Sequence, residues 1–347
     1  MQRVLLKDVA AEVGVSVSCV ARALKGRADI SASTRSRIRA AADKLGYRPD
    51  PMLSALSEYR KSKRPVTFQG TLALLATQQD EKSCLANPET RDLLKGARER
   101  AVSLGYFLDY FNIGETERTF QRAREILRVR GIRGALALSL PPAGLDPGAS
   151  SEPFICVGLF SPSLPRGFPS VSSHHVQSMQ RVLEEAGKRN YRHPALVLQE
   201  STQARHVEWR MAFAEYSQRF PQSSLYAYKG NHPDALFLQQ WAEKKTVDVL
   251  ICCGCEKEMI KAGAYGRPDL QGVGVVCMDL PNPDCGLSGI YQNRAQIGSL
   301  AVEYLHGILQ RGEAEKTVAG SLLIPGAWIE GTSLRKKRGE EEPQSKF

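Results

Sequence analysis

The stretch EVGVSVSCVARALKG, residues 12–26, constrains this chain more than any other. Before it, Leu6, Val9, Ala10 and Val13 recur at spacings of three and four, which makes one apolar helical stripe. Gly14 ends that stripe, because glycine tolerates the left-handed backbone that a helix stop demands. Two residues later Ser16 is a good N-cap for a new helix, whose inward residues are predicted to be Val20 and Leu24. Val17, Ser18 and Arg22 are then left together on one outward face. A core helix gains nothing from such a break, whereas a helix presented to something outside the protein does. A third helix is predicted from Ser31 or Ser33 through Ile38, Ala41 and Leu45 to a stop at Gly46.

Charge points the same way. Residues 1–65 carry 14 Lys and Arg against 6 Asp and Glu, so they hold +8 of the chain's formal +10. A basic head on a nearly neutral body is the electrostatic footprint of a nucleic-acid binder. A solvated basic surface is the plainer alternative.

At 347 residues the chain is long enough for two or three domains, and 42% hydrophobic residues can bury a large core. No apolar run approaches 18 residues, so no membrane span is expected. The opening MQRVLLKDVAAEVG has no continuous apolar region of the secretory kind, and a cytoplasmic location is predicted. The eight cysteines lie mostly inside apolar segments such as VLICCGC, which suits buried thiols in a reducing compartment. Cys252, Cys253 and Cys255 invite a metal, but neighbouring strand residues face opposite ways and no histidine is near in sequence. Neither metal nor cofactor is expected.

The prolines in YRPDPMLSAL forbid a long helix there, although Pro51 suits the first turn of a short one. The polar, basic stretch that follows reads as a linker up to Gly70. From Thr71 the pattern alternates strand and helix, first in TLALLAT, TRDLLKGARERAVSLGY, FLDYFNI, TFQRAREILRVRGI and GALALSL. A second series runs from near Val171 through PALVLQE, HVEWRMAFAEYSQRF, VDVLICCG and GVGVVCMD. Such alternation predicts doubly wound parallel sheets, here in two similar α/β domains with a cleft between them. The tail after Leu334 is polar and is expected to be disordered.

The opening LKDVAAEVGVSVSCVARALKG…ISASTRSRIRAAADKLGYRPDP resembles the N-terminal module of the lactose-repressor (LacI/GalR) family of bacterial transcription regulators over about fifty residues. Weaker marks extend the resemblance to that family's periplasmic-binding-protein-like core: GARERAVSLGY, RHVEW, VVCMDLP and SGIYQNRAQIG. The resemblance implies a helix-turn-helix domain over residues 1–49 and a hinge helix with linker over 50–70. It implies a two-lobed effector-binding and dimerisation domain over 71–334. Lobe 1 is placed at about 71–168 and 293–322, lobe 2 at about 169–292 and 323–334, and the tail at 335–347.

On this resemblance the second helix is the recognition helix, entering the major groove with its N-terminal residues at base edges. Val17 and Ser18 take the family's base-reading positions and Arg22 the third, one turn later. Val17 suits a thymine methyl, Ser18 can donate or accept, and Arg22 can grip a guanine or a phosphate. Ser16, Lys7, Lys25 and Arg35 join them as DNA contacts, Lys25 standing where the family usually has asparagine. Arg37, Arg39 and Arg48 are further candidates for phosphate. Cys19 and Ala21 replace the family's usual Thr and Ser. Leu56, in the hinge, matches the leucine that wedges between base pairs in the minor groove. Asp50 replaces the usual asparagine, an unhelpful charge near phosphates.

For the effector cleft, Arg205 stands four residues before Trp209, as the family's ligand-binding arginine precedes an aromatic. Its guanidinium suits sugar hydroxyls or a carboxylate. Asp279 in CMDLP matches an acceptor of ligand hydroxyls, and His174 and Gln292 complete the implied set. An ion pair at a domain edge is the plainer reading of both Arg205 and Asp279. Departures accumulate here: Gly254 and Cys255 replace an Asn-Asp, His174-His175 an Asp-Asn, and Glu208 a glycine. The ligand is therefore atypical, or the pocket has lost ligand binding.

The expected function is a homodimeric, sequence-specific regulator of transcription, a repressor on a palindromic double-stranded operator, controlled by a small sugar-like effector. A regulator of the same fold that activates, or that no longer senses a small molecule, is the runner-up. A solute-binding protein is disfavoured by the basic head. An enzyme is not expected, since no nucleophile elbow, phosphate-binding glycine loop or metal spacing appears.

Overall fold

The computed structural model describes residues 4–24, 30–47, 68–114, 117–139, 154–159, 168–200, 204–219, 222–230, 233–253, 273–311 and 320–336. Lys25, Arg48, Asp50, Leu56, Gly254, Cys255 and the tail from 337 lie outside the described residues.

Three helices open the chain: α1 (Leu6–Val13), α2 (Val17–Leu24) and α3 (Ala32–Leu45). Gly14 takes φ 72° and its N–H donates to the Ala10 carbonyl, so α1 closes on a left-handed residue as the sequence implies. Gly46 does the same for α3 at φ 71°, while the Ser31 side chain accepts from the Thr34 N–H at its start. Val9, Ala10, Val20, Ala23, Ile38 and Ala42 form the small core of this module. The fully buried inward residue near the end of α2 is Ala23; Leu24, predicted to be inward, is half-buried and packs at the cluster's margin.

Two six-stranded sheets follow. The first runs over β1 (Gly70–Ala76), β2 (Tyr106–Asn112), β3 (Gly134–Ala137), β4 (Ile155–Leu159), β5 (Ser170–Ser173) and the late β11 (Ser321–Ile324), in the order β11-β5-β4-β3-β1-β2. Its helices are α4 (Glu81–Ala86), α5 (Pro88–Ser103), α6 (Glu117–Val129) and α10 (Arg294–Arg311). The second holds β6 (Pro194–Gln199), β7 (Ser224–Tyr228), β8 (Val249–Cys252), β9 (Gly274–Cys277), β10 (Gly289–Tyr291) and β12 (Ala327–Ile329), in the order β12-β10-β9-β8-β6-β7. Its helices are α7 (His175–Lys188), α8 (Ala204–Arg219) and α9 (Ala235–Lys244). All strand pairs are parallel except β10 with β12, which gives the doubly wound α/β architecture read from the alternation.

The chain crosses between sheets three times, after Ser173, at Gln292–Asn293 and at Pro325–Gly326. Two crossings fall a few residues later than the lobe limits drawn at 168 and 322. Strand β5 belongs to the first sheet, where it pairs with both β4 and β11, and β11 runs on to Ile324. The tetrapeptide SVSS is polar enough to read as a connection, yet all four residues are buried between neighbouring strands. The Ser170 and Ser321 hydroxyls, 2.8 Å apart, satisfy each other there.

Helices α5 and α10 lie almost backbone to backbone. A methyl group built on Gly96 would sit 1.9 Å from the Ala295 carbonyl oxygen, and one on Gly298 would sit 2.1 Å from that of Leu93. This close approach anchors the start of α10 on the first sheet's helix layer. Among the described residues no helix is long and apolar enough to cross a membrane.

Candidate nucleic-acid interface and interlobe cleft

The turn that ends α1 and starts α2 is built from local hydrogen bonds. Val15 N–H returns to the Ala10 carbonyl, and the Ser16 hydroxyl accepts the Cys19 N–H at 3.2 Å. Ser16 therefore caps α2, satisfying one of the amides that every helix start leaves open. Its hydroxyl also lies 3.0 Å from that of Ser18. With Val20 and Ala23 turned into the module, Val17, Ser18 and Arg22 all stand in solvent, Val17 at 45% exposure.

Arg22 lies back along the helix, its Nε donating to the Ser18 carbonyl at 3.4 Å. The two side chains thus share one edge of α2, a turn apart. Lys7 is exposed on α1, and Arg35 is half-buried in the first turns of α3. Arg37 reaches across to the Val13 carbonyl at 3.3 Å, and Lys44 pairs with Glu12 at 2.8 Å. These two contacts link α3 to α1 while both side chains stay exposed. The Glu12 carboxylate, hydrogen-bonded to the ammonium, pushes the Lys44 pKa up.

The other candidates lie where the sheets meet. His174 follows the first crossing and caps α7, its Nδ1 accepting the Gln177 N–H at 3.2 Å. Its backbone N–H donates to the Ile324 carbonyl at 2.8 Å, tying the first crossing to the third. Across from it on α8, burial pushes the Glu208 carboxyl pKa up, while the charge of His174 pulls it down. Arg205 lies in the first turn of α8.

Trp209, on the same helix, is fully buried. His206 stacks on it with centroids 5.7 Å apart, and His175 meets it edge-on at 5.2 Å. The sequence places Trp209 beside the ligand arginine, but its indole belongs to the second sheet's core with Met179, Val182 and Leu198. The histidine pair around it is missed by reading along the chain, because residues 175 and 206 meet only through the packing of α7 on α8.

Gln292 is buried at 1% exposure, and its Nε2 donates to the Met278 carbonyl at 2.8 Å. Its Nε2 is spent on the backbone just past β9, while its Oε1 is buried with no hydrogen-bond partner among the described residues. Next to Met278, Asp279 accepts a hydrogen bond from Arg294 Nη2. The two side chains are 3% and 2% exposed, and Glu89 on α5 stands 3.6 Å from the same guanidinium nitrogen. Of the two readings of Asp279, the structure draws the ion pair. Arg294 escaped the sequence reading, although its signal is there. It falls on the buried stripe of α10 with Ile297, Ala301, Leu305 and Ile308, a position that a charged residue occupies only when paired.

Cys252 and Cys277 are buried opposite each other on β8 and β9. Among the described residues no group of three His, Cys, Asp or Glu could hold a metal ion.

Comparison with known proteins divides the chain in the same way. Residues 5–50 match the family model described as bacterial regulatory proteins, lacI family. The HTH-type transcriptional regulator RafR of Escherichia coli is 51% identical over 45 residues, 13% of each chain. The HTH-type transcriptional repressor CytR of Escherichia coli K12 is 27% identical over 165 residues, 46% of this chain and 43% of CytR. The matched segments thus span less than half the length of these curated relatives. Among solved structures, the lac repressor dimer bound to operator and the anti-inducer ONPF superposes with TM-score 0.55 at 18% identity, covering 96% of this chain and all of that one. The CelR–cellobiose complex gives 0.53 at 17%, covering 95% and 100%. At these identities the likeness carries the fold.

Proposed function

The chain belongs to the lacI family of bacterial regulatory proteins, and from that premise we propose that it is a sequence-specific DNA-binding regulator of transcription. It acts as a repressor, binding a palindromic operator as a homodimer, and a small sugar-like molecule in the interlobe cleft sets its affinity. One observation carries the reading: in a module capped by Ser16 and stopped at Gly14, α2 holds Val17, Ser18 and Arg22 outward at its first two turns. That face has the length and chemistry to meet base edges in the major groove. Lys7 and Arg35, with Lys25 and the hinge leucine Leu56 from outside the described residues, supply backbone and minor-groove contacts. The named relatives RafR and CytR are regulators of the same type.

The effector reading rests on placement. Arg205 and His174 belong to the facing helices α8 and α7, with Asp279 and Gln292 at the end of β9 and the second crossing. These are carboxyl ends of parallel strands, where open α/β sheets bind ligands. A specific observation favours the runner-up, a regulator without a small-molecule signal: Asp279 already holds Arg294 and Gln292 already holds a backbone carbonyl.

Selection of binding sites from random DNA tests the first part. A near-palindrome with two equal half-sites is expected; a single asymmetric half-site as the optimum would refute the dimeric reading. For the second part, operator titrations at one fixed salt concentration, with and without a panel of sugars, separate sensing from non-sensing.

A further inference from the structure

We propose that Arg294 is a positioning residue that braces the hinge between the two lobes. By holding Asp279 it fixes the interlobe arrangement from within, in the ligand-free protein. The proposal rests on the geometry of the crossings and not on the effector reading.

The three crossings are joined to one another. His174 N–H donates to the Ile324 carbonyl at 2.8 Å, and Asn293 Nδ2 donates to the Pro325 carbonyl at 3.2 Å. Asn293 itself takes φ 51°, a left-handed turn that re-aims the chain between β10 and α10. Gly326 passes so close to Ile290 that a methyl group on it would sit 2.3 Å from that side chain. These contacts keep the crossings side by side, but each lies within the crossing segments themselves. A hinge made only of such bonds leaves the angle between lobes open.

Arg294 adds a contact that fixes the angle. It is the first residue of α10, which the Gly96 and Gly298 approaches lock onto α5 and hence onto the first sheet. Asp279 lies two residues past β9 of the second sheet. Met278, its predecessor, donates its N–H to the Cys252 carbonyl and accepts from Gln292, and the Asp279 N–H points at the Cys277 sulfur. The guanidinium of one lobe thus grips the carboxylate of the other. Glu89 flanks it from α5, on the first lobe's side. Both members of the pair are 2–3% exposed. Any change of angle that parts them separates two opposite charges that are buried against each other, which favours the paired arrangement. A ligand that uses Asp279 must therefore take it from Arg294, so its hold on the lobes is measured against an internal competitor.

The test needs neither DNA nor effector, so its outcome is separate from that of the regulator reading. Paramagnetic labels are placed through an unnatural amino acid at positions 102 and 211, exposed sites on α5 and α8 of opposite lobes. Interlobe distances are then read by pulsed electron resonance on the full chain. Arg294→Met and Asp279→Leu are each expected to broaden a narrow distribution and to lower the melting temperature by several degrees. The double variant is expected to recover at least half of the larger loss, because neither member of the pair is left facing the other's apolar replacement. If the single variants do not fold, Arg294→Lys and Asp279→Asn carry the same measurement. An unchanged distance distribution overturns the proposal even if the pair contributes stability, and so do additive melting losses.

Discussion

The outward face of α2 and the interlobe cleft hold their candidate residues in opposite ways. On α2, Val17, Ser18 and Arg22 stand in solvent while the core is served by other residues of the same helix. In the cleft, Gln292, Asp279 and the rings around Trp209 are buried, and each is engaged by another part of the protein. An outward face can change its chemistry without disturbing the fold. An inward one cannot, since its side chains are packed into the core and tied to other segments. The contrast predicts that substitutions on α2 alter binding before stability, and that substitutions in the cleft alter stability first.

Trp209→Ala gives the largest effect. Removing a fully buried indole from the cluster with Met179, Val182 and Leu198 should cost about 3–5 kcal/mol. Urea unfolding followed by circular dichroism measures it. A loss below 1 kcal/mol would mean that the cleft floor relaxes as freely as a surface, and the contrast would fail.

On the other side of the comparison, Arg22→Ala should cost roughly 1–3 kcal/mol on the preferred site and relax the preference at one position. The melting temperature should stay unchanged, because Arg22 is exposed. Equal weakening on random DNA would make Arg22 a phosphate contact only. Ser16→Ala is smaller and mixed. It removes the cap of α2, at about 1 kcal/mol, so it should lower both the module's stability and its affinity. A loss of affinity with no loss of stability would move Ser16 from scaffold to contact.

The same contrast explains what was legible in the chain. The Gly14 stop, the Ser16 cap and the outward trio follow from neighbours within a few residues, and the model places them as the spacing implies. The alternation of strands and helices likewise carried the two parallel sheets, since each element's period is local. The crossings were harder. SVSS is polar, and only its position between β4 and β11 makes it a buried strand. In the cleft the chemistry comes from pairs far apart in sequence. Asp279 meets Arg294 because β10 and a left-handed Asn293 bring α10 back beside β9, and no local pattern records that turn. Arg294 announced only half of its role, as a charge on an apolar stripe.

The smallest predicted effect lies between the two regimes, at Glu208. This carboxyl is half-buried on α8, and desolvation pushes its pKa above the usual value, with His174 opposing. A carboxylic acid whose folded pKa is raised holds its proton more tightly in the native state. Its contribution to stability is therefore greatest when it is protonated, at low pH, and is lost as pH rises through the folded pKa. At neutral pH the ionised group costs stability. Glu208→Gln keeps the shape without that cost, so the variant should be slightly more stable than the parent at pH 7–8. The advantage should shrink as pH falls into the carboxylate range, where the parent carboxyl is itself neutral. Thermal melts of both proteins across pH 4–8 check the sign. A variant less stable at pH 8 would mean that the ionised carboxylate gains more from its folded surroundings than burial costs it, which would place Glu208 among the engaged groups of the cleft floor. A gain that persists unchanged at pH 4 would trace the effect to packing and not to charge.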